Sequence, residues 1–72
     1  MPPLPTLKPN QVQKILLKNG FVVKRQTGSH RVYFNIDTSA TVIVPFHSRD
    51  IPKGTLGSII KQSKLSLGQF LK

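Results

Sequence analysis

The sequence predicts an α+β fold of order α-β-β-β-α: a three-stranded antiparallel sheet with two helices packed on one face and the other face open. Three observations carry this reading. Two segments, near Val12 and Leu56, space their apolar residues at helical intervals. Between them lie three short runs rich in β-branched and aromatic residues. The connections between those runs are too short for parallel crossovers, which leaves an antiparallel meander.

The elements follow in order. Residues 1–7 contain Pro2, Pro3 and Pro5 and read as an extended, flexible proline-rich arm, so a single folded domain is expected over 8–72. The first helix starts near Pro9, where proline's missing N–H costs little. Val12, Ile15 and Leu16 form its apolar stripe, and Asn19-Gly20 ends it. Phe21 to Arg25 reads as a strand, Thr27-Gly28-Ser29 as a turn, His30 to Asn35 as a second strand, and Ala40 to Val44 as a third, closed by Pro45. Pro52 opens a second helix with a Leu56, Ile59, Ile60 stripe, weakened by Gly54 and Gly57 at roughly 1 kcal/mol each relative to Ala. Ser66-Leu67-Gly68-Gln69 matches a capping box, so a last short turn is expected to fold Leu67, Phe70 and Leu71 back onto the core.

Composition narrows function. Seventy-two residues suffice for one small domain and exclude a barrel or a doubly wound nucleotide-binding fold. Eleven Lys and Arg against two acidic residues give a net charge of +9, which points to a polyanion or an acidic protein as partner. The acidic residues are Asp37 and Asp50 alone, too few for the clustered carboxylates of a two-metal nuclease, and without cysteine there is no thiolate zinc site; no metal or cofactor is expected. The absence of cysteine fits a reducing, cytoplasmic setting, and no apolar run approaches the ~20 residues of a membrane span. The basic residues flank a gap from Val32 to Ser48 that has no Lys or Arg. Phosphate contacts are therefore expected from the first helix, the strands around Gly28 and the second helix.

Few side chains can do acid–base chemistry. His30 follows Gly28-Ser29 at a turn-to-strand junction, an accessible place. Alternation puts it in phase with Val32 and Phe34. If those two face the helices, His30 lies at the rim of the packed face, either as a backbone-bonded structural histidine or as a general base. His47 follows Pro45-Phe46 and reads as a partner of His30, a substrate contact or a structural residue. A lone base without metal suffices to cleave RNA, because the 2′-OH supplies the nucleophile and cations stabilise the phosphoryl oxygens.

The stretches Leu16-Leu17-Lys18-Asn19-Gly20-Phe21, Arg25-Gln26-Thr27-Gly28-Ser29-His30, Val42-Ile43-Val44-Pro45-Phe46-His47, Lys53-Gly54-Thr55-Leu56 and Ile59-Ile60-Lys61-Gln62 together resemble the HicA family of toxins. The resemblance runs from about Lys8 to Leu71. It implies a double-stranded-RNA-binding-domain-like fold, metal-independent cleavage of mRNA and inhibition by a HicB-type antitoxin protein. It maps the family's catalytic histidine onto His30, with Gly28 and Ser29 as its neighbours. Lys24, Arg25, Arg31, His47 and Lys53 complete the expected RNA-binding set. Two departures stand out: the longer proline arm, and Gly57 where a basic residue is more usual. The alternatives are a non-catalytic double-stranded RNA-binding module, and a protein-interaction module whose basic face meets an acidic partner.

Overall fold

The first helix, α1 (Pro9–Lys18), begins where Gln11 reaches back, its side-chain oxygen accepting the Lys8 backbone N–H at 2.7 Å. Val12 and Leu16 on its apolar stripe are fully buried. It ends at Asn19, whose side-chain amide donates to the Ile15 carbonyl, and the left-handed turn falls on Gly20 at φ +90°. These coordinates come from a computed structural model that describes residues 4–47 and 49–71.

Three strands follow, β1 (Phe21–Thr27), β2 (His30–Asn35) and β3 (Thr41–Pro45), in sheet order β1-β2-β3 with both pairings antiparallel. Helix α2 (Lys53–Ser63) and a 3₁₀ turn (Leu67–Phe70) complete the α-β-β-β-α order. The core is one cluster built from Val12, Leu16, Phe21, Tyr33, Val42, Val44, Leu56, Ile59 and Phe70 with their neighbours. The capping box expected at Ser66 gives only a backbone turn, Gln69 N–H to Ser66 carbonyl at 3.1 Å, without a side-chain cap. Phe70 packs inward as expected, whereas Leu71 stays half exposed.

The phase of β2 is the reverse of the one in which Val32 and Phe34 face the helices. Tyr33 and Asn35 are buried beneath the helices, and Arg31 lies on that same face. His30, Val32 and Phe34 therefore face the open side, and His30 is exposed rather than tucked at the rim of the packed face. Alternation favours the other phase, because Val32 and Phe34 are more apolar than Arg31, Tyr33 and Asn35. The partner strand decides: the pairs Tyr33–Val42 and Arg31–Val44 set two fully buried valines on the packed face. On β1 the register shifts between Val23 and Arg25. This bulge inserts Lys24 and turns both Lys24 and Arg25 to the open face, since Arg25 pairs with outward-facing Val32. A charged bulge on an edge strand also hinders unwanted strand pairing.

The arm docks, at least from Leu4 onward. Leu7 is buried, its carbonyl accepts the Ile51 N–H at 2.8 Å, and Leu4 packs against the core. The Leu4 Cδ1 atom lies 3.8 Å from where a Cβ on Gly57 would stand. The prolines at 2 and 3 lie outside the described residues.

Both helices run the same way relative to the sheet. The α1 end meets β2's end, where Asn35 donates to the Asn19 carbonyl, and Lys64 after α2 reaches the Thr38 carbonyl. Their N-termini thus point to the other end of the sheet, which carries the Gly28 turn and the exit of β3. That end holds His30 and the loop to His47.

Candidate functional site

At the Gly28 end, β1 and β2 are joined by the two-residue turn Gly28-Ser29. Gly28 takes φ +55°, and a Cβ there would meet nothing within 4 Å, so backbone conformation rather than space favours glycine. His30 is the first residue of β2, set between Thr27 on β1 and Pro45 on β3. Its ring is exposed and, among the described residues, has no hydrogen-bond partner. The imidazole is free to meet a ligand on the open sheet face.

Lys24 and Arg25 share that face. Both are exposed, and the Lys24 ammonium stands 5.1 Å from the centre of the Phe34 ring, a cation–π contact that holds the charge over the sheet. Apolar side chains share the face: Val22, beyond Lys24 and Arg25 from His30, is 59% exposed, and Ile43, beside Val32, 49%. The open face is thus a mixed apolar and basic surface with one histidine at its end.

Arg31 stands apart from this group. Its guanidinium stacks 3.7 Å over the Phe46 ring and donates through Nη1 to the Gln13 Oε1 at 2.7 Å. The Tyr33 hydroxyl donates to the same Gln13 oxygen. Burial raises the Tyr33 pKa above its ordinary 10.0, and the neighbouring Arg31 charge offsets part of that rise. Arg31 therefore joins α1, β2 and the loop after β3, on the face opposite Lys24 and Arg25.

His47 lies at the same end as His30. Pro45 pairs with His30, and the Phe46 N–H donates to the Ser29 carbonyl, so the chain leaving β3 passes directly beside the Gly28 turn. The His47 Nδ1 accepts the Arg49 N–H at 3.2 Å, which leaves Nε2 as the ring's free nitrogen. Lys53, exposed, is the first residue of α2. Neither helix has an acidic residue in its first turn, so nothing there cancels the positive ends of the helix dipoles. Lys8 is engaged at 3.6 Å with Asp50. The other carboxylate, Asp37, belongs to the turn at the far end of the sheet, where its N–H is held by Asn35. The two carboxylates are thus separated by the length of the sheet.

The family model described as the HicA toxin of bacterial toxin–antitoxin systems matches residues 9–65. The chain belongs to the HicA toxin family. No curated protein matches it. Membership makes this HicA chain the toxin half of a toxin–antitoxin pair. Among the described residues no helix is long and apolar enough to cross a membrane.

Residues that sequence reasoning passed over also contribute. Gln13 and Phe46 fix Arg31, and Asn10 lies near His47 beside the start of α1. An aromatic directly after Pro45, in a loop, was the one available signal.

Proposed function

We propose that this HicA chain is a metal-independent endoribonuclease that cleaves mRNA, with His30 as general base. The carrying observation is the placement of His30: exposed, on the open face, on the same surface as Lys24 and Arg25, and at the end to which both helix N-termini point. His30 takes the proton from a ribose 2′-OH. That oxygen attacks the adjacent phosphorus, and the bond from phosphorus to the 5′-oxygen breaks. The leaving oxygen takes up a proton, giving a 2′,3′-cyclic phosphate and a 5′-hydroxyl. Arg25, one open-face pair along the sheet from His30, offsets the charge gathering on the phosphoryl oxygens, and Lys24, held over Phe34 farther along, joins Lys53 and the helix ends in attracting the flanking backbone. Gly28 and Ser29 shape the turn that holds His30. Because its substrate is mRNA, the toxin acts in the cytoplasm, and its HicB-type antitoxin restrains it by covering this surface.

The test is digestion of RNA by the purified chain in EDTA beside the His30→Ala variant. Cleavage by the wild type alone, with both proteins folded, is expected. Equal cleavage by both would remove His30 from the reaction. Salt-sensitive binding of duplex RNA without any product would instead assign a non-catalytic RNA-binding module.

A further inference from the structure

Between the start of α1 and the loop after β3 lies a groove of about 420 Å³, lined by Lys8, Asn10, Phe46 and His47. We propose that this groove is a nucleobase subsite: it takes an unstacked base of a nucleotide flanking the cleavage site. The inference rests on the RNA-cleaving function proposed above and names the part of the substrate that this end of the molecule recognises.

The chemistry of the lining favours a base over a phosphate. Lys8, the one ammonium at the groove, is already paired with Asp50. What remains is an aromatic ring, a carboxamide and an imidazole. Phe46 is half-buried and held in place twice: the Arg31 guanidinium stacks on its ring at 3.7 Å, and its N–H donates to the Ser29 carbonyl. A fixed ring backed by a cation is a stacking platform, and every base has a face to lay on it. Asn10 offers both a donor and an acceptor to a base edge. His47 accepts the Arg49 N–H at Nδ1, so in the neutral ring Nε2 carries the proton and serves as a donor. Pro45 lies opposite His30, and Phe46 follows it directly. A base on Phe46 therefore lies at the same end of the sheet as His30, on its helix side, and belongs to a nucleotide flanking the one attacked.

The chain contains no tryptophan, so a Phe46→Trp substitution introduces a single indole reporter. In a His30→Ala background, which keeps the RNA intact, the variant is titrated with short oligo-A, oligo-C, oligo-G and oligo-U, each carrying a fluorescent end label. Binding is followed by anisotropy and stacking by quenching of the indole. The expected results are quenching on binding and unequal affinities for the four oligomers. Adding Asn10→Ala, with Phe46 retained, should weaken the preferred oligomer roughly tenfold and level the ranking. His47→Gln, which keeps a donor near the Nε2 position, should preserve more of that ranking than His47→Ala. Binding without quenching, at affinities untouched by Asn10→Ala, would overturn the subsite and leave the endoribonuclease reading in place. Failure of all four oligomers to bind would overturn both.

Discussion

The buried side chain of Asn35 satisfies three backbone groups. Its Oδ1 accepts the N–H groups of Asp37 and Thr38, and its amide donates to the Asn19 carbonyl at the end of α1. Each group left unpaired in a buried place costs about 1–3 kcal/mol. Asn35→Ala should therefore lower stability by about 2–4 kcal/mol, a large share of what a domain this small commands, as a lower urea midpoint. Lys64 is the opposite case. It holds φ +61°, a left-handed conformation that disfavours any side chain, directly after α2. Lys64→Gly should raise stability by about 0.5–1 kcal/mol, since the exposed bond from its ammonium to Thr38 is worth little; thermal unfolding checks this. Tyr33, the chain's single tyrosine, gives a pH prediction. Its folded pKa lies above 10.0, so the unfolded chain releases the phenolic proton first. This contribution to stability is intact below pH 10.0 and is lost as pH rises through the folded value. Phenolate absorbance should appear at higher pH in the native protein than in urea.

At the scale of elements, α2 and the arm explain one another. Gly57, read from sequence as a weakness in α2, lies under Leu4. A methyl at Gly57 would stand 3.8 Å from the Leu4 Cδ1 atom, an ordinary contact. Gly57→Ala should keep the arm docked and stabilise the protein by up to about 1 kcal/mol, seen as a higher urea midpoint. A longer side chain there should lift Leu4 from the core. The helices were legible in the sequence because Val12, Ile15 and Leu16, like Leu56, Ile59 and Ile60, have only one apolar face to offer. The face of β2 was not legible, because alternation in His30-Arg31-Val32-Tyr33-Phe34-Asn35 favours burying Val32 and Phe34, whereas Tyr33 and Asn35 are the buried residues. Its orientation depends on Gln13 receiving Arg31 and Tyr33, a contact from a helix eighteen and twenty residues away in sequence. The bulge at Lys24 was equally hidden, since Val23, Lys24 and Arg25 carry no glycine or proline to mark it.

At the scale of the whole molecule, charge and topology coincide. The net +9 has no acidic counterweight near the helix N-termini except Asp50, which Lys8 engages. Binding of RNA should therefore weaken steeply with salt, with a slope that falls by about one for each phosphate-contacting cation removed. Lys24→Ala and Arg25→Ala should each lower that slope, whereas Arg31→Ala should instead loosen the loop to His47 and lower stability. The residue types of the candidate site could be read from sequence. Their sorting, with Arg31 beneath the sheet and Lys24, Arg25 and His30 on its open side, required the strand register. In the proposed reaction the RNA supplies its own nucleophile and His30 activates it. The most direct measurement uses an RNA cut at a mapped position and the same RNA with a single 2′-deoxy sugar on the 5′ side of that cut, both digested in EDTA with product ends analysed. The expected result is a 2′,3′-cyclic phosphate or 3′-phosphate end from the first and no cut at that position in the second. Cleavage of the 2′-deoxy substrate there, or a 3′-hydroxyl end, would contradict it.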